Sequence, residues 1–132
     1  MDLKLSGKRA LVTGASQGIG LAIARALARE GCDLILVARS GGSLSSLASE
    51  LQQAFHVDVR TIPADLSSVA AVQVLAEAIA ELDILVNNAG AIPAGGLHDV
   101  TDDAWRRGWD LKVFGYINLT RSLYSKLREK SG

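Results

Sequence analysis

Two hydrophobic rhythms alternate along this chain. Short continuous apolar runs at 9–13 (RALVT), 33–38 (DLILVA) and 83–86 (DILV) have the pattern of strands buried on both faces. Residues 57–62 (VDVRTI) alternate instead and predict a strand nearer a sheet edge. Helical spacing fills the intervals. Ile19, Ala22, Ile23, Ala26 and Leu27 share one face, and Gly31 follows as a stop. Leu44, Leu47, Ala48, Leu51, Ala54 and Phe55 mark a second helix, with Ser43 as its cap. A third is predicted from about 67 to 81, through Val72, Leu75 and Ile79. A Gly/Pro/Ala loop from 87 to about 100 precedes a long last helix, about 102–128. On that helix Trp105, Trp109, Lys112, Tyr116, Leu119, Leu123 and Leu127 step by three or four and predict one continuous stripe.

Strands alternating with helices through short joins predict an α/β fold: a doubly wound, Rossmann-like parallel sheet with right-handed crossovers. The expected strand order is 3-2-1-4, with a ligand beyond the carboxyl ends of the strands. The 132 residues suffice for one domain, and neither a repeat nor a linker divides them. Fourteen basic residues balance fourteen acidic ones, so no net field favours nucleic acid or an anionic membrane. No apolar stretch reaches the ~20 residues a bilayer span needs. Asp2 and Lys4 interrupt the opening residues, so no secretory leader is expected. The lone Cys32 cannot form an internal disulfide and is expected as a buried core residue, consistent with the cytoplasm. His56 and His98 stand apart without companion ligands, so they are expected at the surface and no metal site is predicted.

The chemistry begins just after the first strand. Thr13-Gly14-Ala15-Ser16-Gln17-Gly18-Ile19-Gly20 spaces its glycines G-x-x-x-G-x-G, directly between a strand and a helix. A helix that opens on such a turn aims unpaired N–H groups and a positive dipole end at one spot, which suits a pyrophosphate. Gly14 is expected to allow the sharp turn, and Gly18 and Gly20 the close approach of phosphate and sheet. At the end of the second strand, where an NAD site wants an acidic side chain for the ribose 2′-hydroxyl, the chain has Arg39 and Ser40. A guanidinium can grip a 2′-phosphate through paired, charge-assisted hydrogen bonds, so NADP(H) is favoured over NAD(H).

Further segments follow in order: Asp65-Leu66 after the third strand, Asn87-Asn88-Ala89-Gly90 after the fourth, and Trp105 to Gly115 in the last helix. With the glycine turn, this set resembles the N-terminal, cofactor-binding half of the short-chain dehydrogenase/reductase family, over essentially the whole chain. The resemblance implies an oxidoreductase that moves hydride between a nicotinamide dinucleotide and a carbonyl or alcohol substrate. It places Gly14, Ser16, Gln17, Gly18, Ile19 and Gly20 over the pyrophosphate. Asp65 would bind the adenine amino group, with Leu66 beside the ring. Asn87, Ala89 and Gly90 would belong to a segment that steadies the sheet and lines the nicotinamide side.

The chain departs from the family's pattern twice. Lys112 stands where the resemblance implies a catalytic asparagine that holds a water in the proton relay. It can be a snorkelling lysine at the crevice rim, or a catalytic cation near nicotinamide or substrate. The family's serine and its Tyr-x-x-x-Lys pair are not found: Thr120 follows Tyr116 at that spacing, and Arg128 follows Tyr124. Carbonyl reduction needs a proton donor within reach of the forming alkoxide. Substrate turnover is therefore expected only if a second half is supplied. The alternative is an inactive fragment or dinucleotide-binding module, self-associating as an oligomer through the open edge of the fourth strand and the last helix.

Overall fold

The computed structural model describes residues 2–130; positions 1, 131 and 132 of the expected domain lie outside the described residues. Four parallel strands, β1 (Arg9–Thr13), β2 (Asp33–Ala38), β3 (Val59–Pro63) and β4 (Ile84–Val86), lie in the order β3-β2-β1-β4. This is the expected order. Thr13 pairs with Val37, Val12 with Val86 and Ala38 with Pro63, so the carboxyl ends of all four strands form one rim.

Period-two alternation divides the core between the two sheet faces. Ala10, Val12, Leu34 and Leu36 pack under α1 (Gly18–Arg29) and α2 (Gly41–Phe55). Leu11, Ile35 and Val37 belong to the opposite core with α3 (Val69–Glu77) and α5 (Tyr116–Glu129). Leu119 and Leu123 of α5 are fully buried there. Burial at this level contributes roughly 1.5–3 kcal/mol for each leucine, enough to fix that helix against the sheet. Cys32 is buried, as expected, and its thiol donates to the Leu5 carbonyl at 3.4 Å. Both histidines are exposed. Among the described residues no helix is long and apolar enough to cross a membrane.

Several boundaries differ from the sequence-based expectation, each for a local reason. The third strand begins at Val59 instead of residue 57, because the Asp33 carboxylate takes the Asp58 amide at 2.9 Å. It extends to Pro63, which an edge strand tolerates because the N–H that proline lacks would face no partner. The third helix starts at Val69 because Ser68 Oγ caps it, accepting the Ala71 amide at 3.3 Å. It stops at Glu77, although Ile79 and Leu82 remain buried beyond it. Ser40, not Ser43, occupies the N-cap position of α2. The start of that helix lies against β3, where a Cβ on Gly41 would sit 3.1 Å from Pro63 Cγ.

The largest departure is in the last helix. It is divided into α4 (Asp102–Trp109), a π-helical turn (Asp110–Gly115) and α5. An i→i+5 turn accommodates an extra residue, which rotates the phase by roughly 100° relative to a continuous α-helix. The predicted single stripe is therefore broken. Leu119, Leu123 and Leu127 face the core, but it is Leu111 and the buried Gly115 that continue the inward face, in place of Lys112 and Tyr116. Gly115 has to be small: a Cβ there would meet the Leu66 carbonyl oxygen at 2.7 Å.

Candidate functional site

The glycine turn sits on the rim at the end of β1, and its glycines have separate tasks. Gly14 has φ +63°, and a Cβ on it would lie 2.9 Å from Ala89 Cα. It permits both the turn and the contact with the segment after β4. Gly20 is buried, and its Cβ would fall 2.1 Å from the Gly14 carbonyl oxygen and 2.5 Å from Asn88 Nδ2. Only glycine allows α1 to start this close to the turn. Gly18 differs: φ is +58° and nothing lies within 4 Å of its Cβ position. It opens α1 toward free space. Gln17 at the N-cap makes no side-chain capping bond, and the first turn carries no acidic residue. The first amides of this 12-residue helix are thus left for an external acceptor.

The turn is tied across the sheet to the segment after β4. The fully buried Thr13 hydroxyl donates to the Val86 carbonyl and accepts the amides of Asn88 and Ala89, both at 2.9 Å. Asn88 Nδ2 returns two bonds, to the carbonyls of Thr13 (3.1 Å) and Gly14 (3.3 Å). These bonds hold two chain segments, more than seventy residues apart, in one rigid frame.

The frame borders a cleft of about 320 Å³ along the carboxyl rim. Gly14, Ser16, Gln17, Gly18 and Ile19 line one side of it. Arg39 and Leu66 come from the ends of β2 and β3, and Ala89 and Gly90 from the end of β4. Neighbouring strands are about 4.8 Å apart, so the cleft reaches across β1 by roughly two strand spacings, from Arg39 to Gly90. Val37, Ala91 and Leu111 also line it. Ala38, Ala64 and Asn88 line it as well. None of these six was expected as a binding residue; five lie in or beside the strand-end motifs, and Leu111 is turned inward by the π turn.

Four expected binding residues lie off this cleft. Gly20 is beneath it, as the contact distances above require. Ser40 is exposed at the start of α2. Asn87 lies behind, donating to Thr120 Oγ1 at 2.9 Å, while its own Oδ1 is buried without a partner among the described residues. Asp65 lines an adjoining groove of about 370 Å³, which shares Arg39, Ala91 and Leu111 with the cleft. Its Oδ1 accepts the Ser67 hydroxyl (2.7 Å) and amide (3.0 Å). These bonds, the hydroxyl's first, hold the Asp65 carboxyl below its ordinary range, and the nearby Arg39 guanidinium adds to the effect. Leu66 is only 4% exposed and presents little surface.

Arg39 is exposed and takes part in no ion pair among the described residues, so its guanidinium is available. Lys112 is outside the cleft proper. Its Cδ and Nζ both lie 3.5 Å from the position a Cβ would take on Gly90, so its stem runs along the outer side of that glycine. The Lys112 side chain is exposed at the rim.

Known proteins share this fold. The profile of the family described as short chain dehydrogenase matches residues 8–132. An uncharacterized oxidoreductase of Bacillus subtilis, YvaG, is 37% identical across 100% of this chain and 51% of its own length. L-sorbose reductase from Gluconobacter frateurii, solved with NADPH and L-sorbose, superposes with a TM-score of 0.93 at 36% identity, covering 98% of this chain and 51% of that one. A short chain dehydrogenase/reductase from Burkholderia phymatum, solved with NAD, gives a TM-score of 0.88 at 28% identity over 98% of this chain and 47% of that one. The chain spans about half the length of the curated relatives it matches.

Proposed function

The chain belongs to the short-chain dehydrogenase family, and from that premise we propose that its rim cleft holds a nicotinamide dinucleotide, NADP(H) in preference to NAD(H). The observation that carries this reading is the open space before Gly18. A positive-φ glycine, an uncapped helix start and an available guanidinium line the same cleft. The first amides of α1, with Ser16 and Gln17, would receive the pyrophosphate. A helix end contributes about 0.3–1 kcal/mol toward an anion, up to ~2 when partly buried. Hydrogen bonds to a charged group contribute about 1.5–3 kcal/mol, so Arg39 decides between the two cofactors, with the Ser40 hydroxyl beside it. Asp65 and Leu66 would take the adenine end, Ala89 and Gly90 the nicotinamide end, and Asn87 would support that segment from behind.

The bound dinucleotide would supply or accept hydride, and the protein's own part is to bind it, orient it and screen it from water. In the whole protein the reaction would be interconversion of a carbonyl and an alcohol. The family's Tyr-x-x-x-Lys pair for that step is not found in these 132 residues, where Thr120 follows Tyr116 and Arg128 follows Tyr124 at that spacing. We read residues 1–132 as one dinucleotide-binding unit. The open edge of β4 and the exposed Ile117 (51%) and Tyr124 (61%) of α5 support self-association there. The buried free thiol of Cys32 suits a reducing compartment such as the cytoplasm. The test is a calorimetric titration of NADPH and NADH, with native mass measured in parallel. Saturable binding with NADPH the tighter ligand is expected; no binding of either overturns the assignment.

A further inference from the structure

Beyond Gly90 a further pocket of about 210 Å³ opens between the loop after β4 and the last helix; it shares Ile92, Pro93 and Gly108 with the groove that Asp65 lines, but no residue with the dinucleotide cleft. Ile92 and Pro93 form one wall, Trp105, Trp109 and Val113 the other. Lys112 is its one charged residue. No ion pair among the described residues engages that ammonium. The break in helical phase brings this about: it keeps Lys112 off the buried face and beside the two indole rings. Exposed apolar groups gathered around an available cation are an uncommon surface for a soluble domain. Ile92 is 64% exposed and Trp109 56%.

We propose that this pocket binds the substrate, and that the substrate is a small apolar keto acid or the corresponding hydroxy acid. The carboxylate would meet Lys112 Nζ, and the alkyl or aryl body would fill the cup between Trp109 and Ile92. The ammonium lies against Gly90, which lines the dinucleotide cleft. A carbonyl adjacent to a carboxylate held at Lys112 is therefore presented toward the cofactor side. The pocket is smaller than the about 300–1,000 Å³ of drug-sized sites, which favours a body of a few carbons. The charge excludes cationic ligands, and the apolar walls disfavour polyhydroxylated ones. The assignment as a substrate site rests on the dinucleotide reading above; the binding of the acid itself can be tested apart from it.

The chain's two tryptophans both line this pocket, so intrinsic emission reports its occupancy directly. α-Ketoisocaproate and its uncharged counterpart methyl isobutyl ketone are titrated against the chain, its Lys112→Met variant and its Lys112→Arg variant. The expected result is a saturable emission change with the keto acid binding tighter than the ketone. Lys112→Met should lose about tenfold affinity for the acid, the effect of one charge-assisted contact, and none for the ketone. Lys112→Arg should restore most of it. Equal affinity for both probes, or an acid affinity unchanged in Lys112→Met, overturns the proposal. NADPH is titrated in parallel by calorimetry. NADPH binding without a charge-dependent response to the acid defeats the pocket alone. Charge-dependent acid binding without NADPH binding defeats the cofactor reading and leaves the acid site.

Discussion

Asn88 is bound to Thr13 from both directions: its backbone amide donates to the Thr13 hydroxyl at 2.9 Å, and its side-chain amide donates to the Thr13 carbonyl at 3.1 Å. Thr13 ends β1 and Asn88 follows β4, so the pair joins the two parallel strands between which the strand order reverses, from β1-β2-β3 on one side to β4 on the other. A ligand crevice is expected at such a reversal, and the cleft borders both residues' neighbours. Replacing Thr13 with valine keeps the shape but strips the acceptor from two partly buried amides. Thr13→Val should lower unfolding stability by about 2–4 kcal/mol in urea titrations, whereas Thr13→Ser should cost less than half as much.

Gly18 and Gly20 should behave oppositely, although they are two residues apart. Gly20→Ala forces a methyl group into the Gly14 carbonyl, so the loss should be mainly in stability, about 1–3 kcal/mol or more. Gly18→Ala meets no atom and carries only left-handed strain of roughly 1–2 kcal/mol. Its larger effect should be on dinucleotide affinity, because the methyl group would enter the space reserved for phosphate. Thermal unfolding and calorimetric binding of both variants separate the two roles.

Arg39→Ala should weaken NADPH binding by about 10- to 150-fold, equivalent to roughly 1.5–3 kcal/mol, and leave NADH nearly unchanged. Parallel titrations of both cofactors measure this. Equal losses would mean that the guanidinium holds something common to both dinucleotides.

Much of this architecture was legible because strand and helix differ in period. The runs ALVT and DLILVA are too short and too continuously apolar for a surface helix, and both became interior strands with the expected bounds. The glycine turn was legible for the same local reason, since its position between strand and helix is written in order along the chain. The π turn was not. DLKVFG contains no proline or paired small residues to mark a break, and Lys112 and Tyr116 fit an unbroken stripe as well as Leu111 and Gly115 fit the real one. The strict four-residue series Leu111, Gly115, Leu119, Leu123, Leu127 was the available signal. The apolar pocket at Trp105 and Trp109 depends on that same phase change and was hidden with it. Asp65 was legible as a residue just past a strand, but its bonding to Ser67 depends on a loop conformation that spacing does not specify.

The Asp65 carboxyl titrates below its ordinary range because Ser67 bonds its charged form. A depressed folded-state value stabilises the protein above the unfolded carboxyl value of about 3.9, and that contribution is lost as pH falls through the folded value. Carboxyl NMR titration should therefore find Asp65 more acidic than a free aspartate. Ser67→Ala should move it back toward the ordinary value. The stability difference between the chain and Ser67→Ala should be present at neutral pH and fade at strongly acid pH. The side chain is exposed, so the effect should also shrink with added salt.

The central claim is that the amides opening α1, flanked by Arg39, hold a dinucleotide across the end of β1. Amide chemical shifts of an isotope-labelled chain, followed during NADPH addition, test it most directly. The account predicts saturable shifts concentrated at Ser16, Gln17, Gly18, Ile19, Arg39 and Gly90, with NADH reproducing them except around Arg39. Shifts absent from the glycine turn, or confined to a surface away from the strand carboxyl ends, would contradict it.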